Sequence, residues 1–169
     1  MESRELLLNA FDNVEESVRG ALDGIDPGML IARIDPDANT IAWLVWHLTR
    51  VQDDHVAEVA GVPQAYRDAG WADRFALPFP VEATGYGFSS ADVAATRITD
   101  PGLLLGYHAE VHGRTAAFVS GLSAGDLDRV VDERWDPPVT LGVRLVSVVS
   151  DDLQHAGQAA FLRGVLDRG

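Results

Sequence analysis

Four stretches of this chain repeat apolar residues every three or four positions, and little of it alternates as a strand would. The first runs from about Glu2 to Leu22, with Leu7, Ala10, Phe11, Val14 and Val18 on one stripe. Asp23-Gly24 and Pro27-Gly28 stop it, and Ile31 to Asp37 reads as a connector. Asn39 or Thr40 offers an N-cap for a second helix that ends before Gly61-Val62-Pro63. Ser89 or Ser90 caps a third helical region reaching about Leu122, with a break at Pro101-Gly102. A short helical turn is expected at Leu127 to Val131, and Trp135 to Val139 is extended, because each proline pushes its predecessor away from helix. Thr140 caps the last helix, Leu141 to Leu166. Helices of this length, each apolar along one stripe, bury those stripes against one another, so the expected fold is all-α: a four-helix bundle in a single domain spanning residues 1–169.

The connection from Gly61 to Ser90 is unusual. It contains Pro63, Pro78, Pro80, Gly70, Gly85 and Gly87, yet also Tyr66, Trp71, Phe75, Phe79, Tyr86 and Phe88. A disordered linker is poor in aromatics. This one is expected to pack on the bundle and lean over a functional site, and its length permits a crossover between the second and third helices.

Composition excludes several functions. The chain has no cysteine, so thiolate metal sites, disulfides and a cysteine nucleophile are out, and any thiol chemistry uses a thiol from outside. The basic residues are all arginine, 13 against 26 acidic residues, for a net charge of −13. Such a surface repels polyanions, so no nucleic acid is expected as partner. No stretch approaches membrane-spanning length and no leader pattern is expected, which makes the cytoplasm the default location.

Three polar residues stand where helices should be apolar. Asp151 and His155 are four apart on one helix face, with His155 on the stripe of Val148, Ala159, Leu162 and Leu166. His47 is the only polar residue between Ile41 and Leu48. A lone buried histidine is most often a hydrogen-bonded core residue. A buried carboxylate one turn away, however, needs a cation or several donors. Two imidazoles and a carboxylate suit zinc or a similar divalent ion with one position left open. On the same helix as His47, Asp54 lies roughly 10 Å further along and His55 about 80° round. Asp54 and Glu58 read as exposed or supporting groups and His55 as a surface residue. His108 and His112, also four apart, form a rival pair that the sequence barely separates from Asp151 and His155. Gly85-Tyr86-Gly87-Phe88-Ser89-Ser90 lacks the last glycine of a dinucleotide loop and the Gly-Lys of a phosphate loop, and no Gly-x-Ser-x-Gly elbow is present.

The run Trp43-Leu44-Val45-Trp46-His47-Leu48, the later Gly85-Tyr86-Gly87, and Asp151-x3-His155-Ala156-Gly157-Gln158 resemble the DinB/YfiT-like superfamily. Within it, the chain is most similar to the mycothiol transferase branch and to the N-terminal domain of mycothiol-dependent maleylpyruvate isomerase. The resemblance spans essentially the whole chain. It implies a four-helix bundle holding a divalent metal, zinc with nickel or iron as alternatives, through His47, Asp151 and His155. It also implies a low-molecular-weight thiol cosubstrate, plausibly mycothiol, attacking a small electrophile, in a protein that pairs as a homodimer. One position departs from the pattern: where the family carries histidine or glutamate, this chain has the shorter Asp151, and Asp152 competes for its role. A hydrolase using the same site, or a ligand-binding helical module without catalysis, are the alternatives.

Overall fold

The structure, a computed structural model, describes residues 2–169. Four long helices form the body: α1 (Ser3–Leu22), α3 (Ile41–Ala60), α7 (Pro101–Ser120) and α8 (Leu141–Leu166). Between them lie the short helices α2 (Pro27–Ile31), α4 (Ala65–Asp68), α5 (Trp71–Phe75) and α6 (Ser90–Ala95). The fold is all-α and DinB-like.

Local chemistry sets each boundary. Glu2 and Glu5 close a reciprocal capping box on α1. Thr40 Oγ1 accepts from the Trp43 amide at 3.1 Å and starts α3, which Gly61 ends in the left-handed conformation. Thr140 caps α8 in the same way. The expected third helical region is in fact two helices. Ser89 caps α6, which stops at Ala95, and the bundle helix α7 begins only at Pro101, with Asp100 Oδ1 accepting from Gly102. Proline bars its predecessor from helix and is itself at home in the first turn, so the break falls before Pro101 rather than at Pro101-Gly102. The turn expected at Leu127 to Val131 lies earlier, as a 3₁₀ turn over Ala124–Asp128. A strand pair follows, β1 (Val130–Asp132) antiparallel to β2 (Val139–Thr140), fragments too short to show alternation.

α1 and α3 sit diagonally across the bundle, each packed on both α7 and α8. His47 meets His155 and His55 meets Arg144, so α3 and α8 are antiparallel. Thr49 meets His108 and Gln52 meets Thr115, so α3 and α7 run parallel. The connection over 61–100 therefore crosses back along the molecule before α7 begins. It packs tightly: Tyr66, Trp71 and Phe75 are buried, and Trp71 lies over Gly106, where a Cβ would come 2.8 Å from the indole. Arg50, fully buried, pins it by donating to the carbonyls of Val81 and Ala83 and to Gln64 Oε1. Asp53 beside it accepts from the amides of Ala65 and Tyr66 and from the Tyr107 hydroxyl, each at 2.8 Å.

The apolar core is divided. One cluster holds Val14, Leu48, Val111 and Ala156; the other holds Phe11, Val56, Val119 and Val149. Thr49, Gln52, Thr115 and Asp152, all buried, fall between them on their helices, and buried His108 meets Thr49 across the bundle. Gln52 Oε1, His108 Nε2 and both Asp152 oxygens have no hydrogen-bond partner there. Burial pushes the His108 imidazole down to about 3. Burial, with Asp151 adding to it, holds the Asp152 carboxyl well above the usual carboxylate range. Among the described residues, no helix is long and apolar enough to cross a membrane.

Candidate metal centre

Antiparallel packing of α3 on α8 sets His47 against the turn that carries Asp151 and His155. One ligand atom from each of the three lies within 4.8 Å of the others. The two imidazole rings meet edge to face, with centroids 4.8 Å apart, and Trp43 stacks on His47 at 4.6 Å. The Trp43 indole thus covers one face of the His47 ring.

Both histidines are oriented by backbone. His47 Nδ1 donates to the Thr84 carbonyl at 2.6 Å, and His155 Nδ1 donates to the Asp151 carbonyl at 2.8 Å. With Nδ1 committed in each ring, Nε2 carries the lone pair of the neutral form. Asp151 Oδ2 lies 3.4 Å from His155 Nδ1, whose hydrogen is directed to the carbonyl, so this buried oxygen is left without a hydrogen bond. Two free imidazole nitrogens and one orphaned carboxylate oxygen are a donor set that a borderline divalent ion satisfies. The residues fit such a group.

Electrostatics treat the two imidazoles differently. Burial lowers the His47 pKa, against the pull of the Thr84 carbonyl, and so favours the neutral ligand form. Asp151 raises the His155 pKa through their contact, and His155 lowers that of Asp151. An ion displacing the proton from His155 would inherit the same carboxylate.

The loop over 61–90 reaches this centre, as its aromatics suggested. Gly85 follows the carbonyl that holds His47; it has φ +94°, and a Cβ there would lie 2.8 Å from His47 Nδ1. Both the left-handed backbone and the close approach require glycine. Thr84 and Tyr86 line a cleft of about 490 Å³ beside His47 and Asp151.

The remaining sequence candidates separate clearly. His108 and His112 do not join the group: His108 Nδ1 bonds to Thr49 and His112 Nε2 faces Asp12 at 3.2 Å. Asp152 points into the core and lies outside the cluster that contains Asp151. Glu58 is exposed. Asp54 lines the cleft. His55, expected at the surface, is half-buried in the same cleft because Arg144 of α8 covers its outer edge, 2.8 Å from Nδ1. No sequence signal pairs residues 89 positions apart, so His55, Arg144 and the Thr84 carbonyl were invisible before the fold.

An all-α bundle with a His-Asp-His cluster between its second and fourth long helices defines a DinB-like protein. The family model for mycothiol S-transferases matches residues 6–168, and the chain belongs to that family. Among solved structures, a conserved protein from Enterococcus faecalis superimposes with a TM-score of 0.90 at 26% identity, over 96% of each chain. Comparison with curated proteins finds no match.

Proposed function

We propose that the protein is a divalent-metal-dependent mycothiol S-transferase in which His47, Asp151 and His155 hold the ion. The observation that carries this reading is that His47, Asp151 and His155 each bring one ligand atom within 4.8 Å of the others, with Nδ1 of both rings bonded to backbone carbonyls and Oδ2 of Asp151 unpartnered. Zinc suits this nitrogen-rich set best, with nickel or iron as alternatives. When bound, the ion supplies positive charge that lowers the pKa of an incoming thiol and favours the nucleophilic thiolate.

The chain's own residues do the rest. Thr84 and the Asp151 carbonyl fix the imidazole tautomers, and Trp43 shuts the inner side of the site to water. The cleft beside His47 and Asp151 receives the polar part of a substrate, while the loop over 61–90 walls it. The absence of cysteine fits a nucleophile that arrives as cosubstrate. The reading includes a cytoplasmic location, where thiol pools are kept reduced. The exposed apolar residues Val143, Val146, Leu153 and Phe161 along α8 support a homodimer, which light scattering would test.

The direct test is conjugation of mycothiol to a chromogenic haloarene by protein reconstituted with zinc. S-conjugate formed only with both metal and thiol supports the transferase. Turnover of ester or amide substrates in thiol-free buffer, with no conjugate, would replace it with a hydrolase.

A further inference from the structure

Of the six aromatic residues between Gly61 and Ser90, five are packed and one is not. Tyr66, Trp71 and Phe75 are buried, and Phe79 and Phe88 lie against each other and against Trp46. Tyr86 is 90% exposed, yet it lines the cleft beside His47 and Asp151. A single exposed aromatic needs no explanation by itself. The backbone beneath this one is built for its place. Gly85 (φ +94°) sits against His47 and Trp46, and Gly87 (φ +73°) turns the chain back, so that the Gly85 carbonyl accepts from the Phe88 amide at 3.1 Å. Phe88 then stacks on Trp46 with ring centroids 6.1 Å apart. Both ends of the turn are anchored, while the ring it carries stays in solvent.

The cleft also has an order along its length. The antiparallel register sets His47 against His155 and His55 against Arg144. Val51 of α3 and Val148 of α8 are therefore level, one turn from the metal cluster, and Asp54, His55 and Ser147 follow a turn beyond. Beside the cluster the lining is Val51, Val148, Thr84 and Tyr86.

We infer that Tyr86 is a specificity-determining residue that covers the electrophile, and that the carbon under attack is carried on a flat apolar group, an aryl ring being the simplest case. Such a group buries against Val51 and Val148 and gives the Tyr86 ring a face to pack on. Polar groups in the same place would exchange water for two valines. The inference rests on the transferase reading and names the electrophile class for it. With a chloroarene, the thiolate sulfur bonds to the ring carbon, chloride leaves, and the thiol's proton passes to solvent.

The test uses the full chain loaded with zinc, mycothiol as the thiol, and two electrophiles: 1-chloro-2,4-dinitrobenzene, which carries an aryl ring, and iodoacetamide, which does not. Tyr86→Ala should raise KM for the chloroarene about tenfold, with kcat, zinc content and KM for mycothiol unchanged. Its kcat/KM for iodoacetamide should also stay unchanged. Tyr86→Phe should restore the native values, because the ring and not the hydroxyl makes the contact. Equilibrium dialysis of unreactive 2,4-dinitroaniline should show the same loss and the same rescue without turnover. A loss shared equally by both electrophiles, a raised KM for mycothiol instead, Tyr86→Phe behaving as Tyr86→Ala, or dinitroaniline binding indifferent to Tyr86 would overturn the assignment. Failure of the transferase reading would show separately, as no conjugate from the native chain, and dinitroaniline binding would then decide the cleft alone.

Discussion

His47 Nδ1 lies 2.6 Å from the carbonyl oxygen of Thr84, so an imidazole on a core helix is held by a loop 37 residues away. The loop is therefore part of the site's construction and not merely its cover. Gly85 makes that bond possible. In Gly85→Ala a Cβ would press on His47 Nδ1 at 2.8 Å, with the backbone strained at φ +94°. The variant should stay folded but lose about 10- to 100-fold in zinc affinity, the usual cost of disturbing the hydrogen bond behind a ligating histidine. Competition against a chromophoric chelator would measure it.

Arg50 should matter for the same loop. Its fully buried guanidinium pairs with Asp53 at 3.6 Å and bonds to the carbonyls of Val81 and Ala83. Arg50→Met leaves the Asp53 carboxylate buried without its cation, at a cost of about 3 kcal/mol in urea unfolding. Amides over 81–87 should then exchange with deuterium faster than those of α8.

Acid should destabilise the fold through His108. Its pKa is about 3 in the folded chain and 6.5 in the reference state. Between those values the unfolded chain binds a proton that the folded chain refuses. The contribution of neutral His108 is therefore whole above pH 6.5 and falls as pH drops toward 3, by up to about 1.4 kcal/mol per unit. His108→Gln should flatten this part of the stability–pH curve in chelator-treated protein. An unchanged slope would mean that His108 is not the group responsible.

Much of the bundle was legible because its signals are local. Thr40 and Thr140 cap the helices expected of them, and the four-residue spacing of Asp151 and His155 put both on the face that meets α3. What sequence could not show was pairing across the bundle. His108 with His112 had equal spacing to Asp151 with His155, and only packing turned one pair toward Thr49 and Asp12 and the other toward His47. His55 looked superficial by its angle on α3 because the arginine that covers it comes from α8. Asp152 looked interchangeable with Asp151, yet one step along a helix turns a side chain by about 100°, here from the cluster into the core.

The central claim is that His47, Asp151 and His155 together hold one divalent ion. Elemental analysis by mass spectrometry, on protein purified without a histidine tag or added metal, tests it most directly, with His155→Ala and His112→Ala alongside. The account predicts about one zinc, nickel or iron per chain in the native protein and in His112→Ala, and near-complete loss in His155→Ala. Metal retained in His155→Ala, or no metal and no thermal shift on adding any divalent ion, would contradict it.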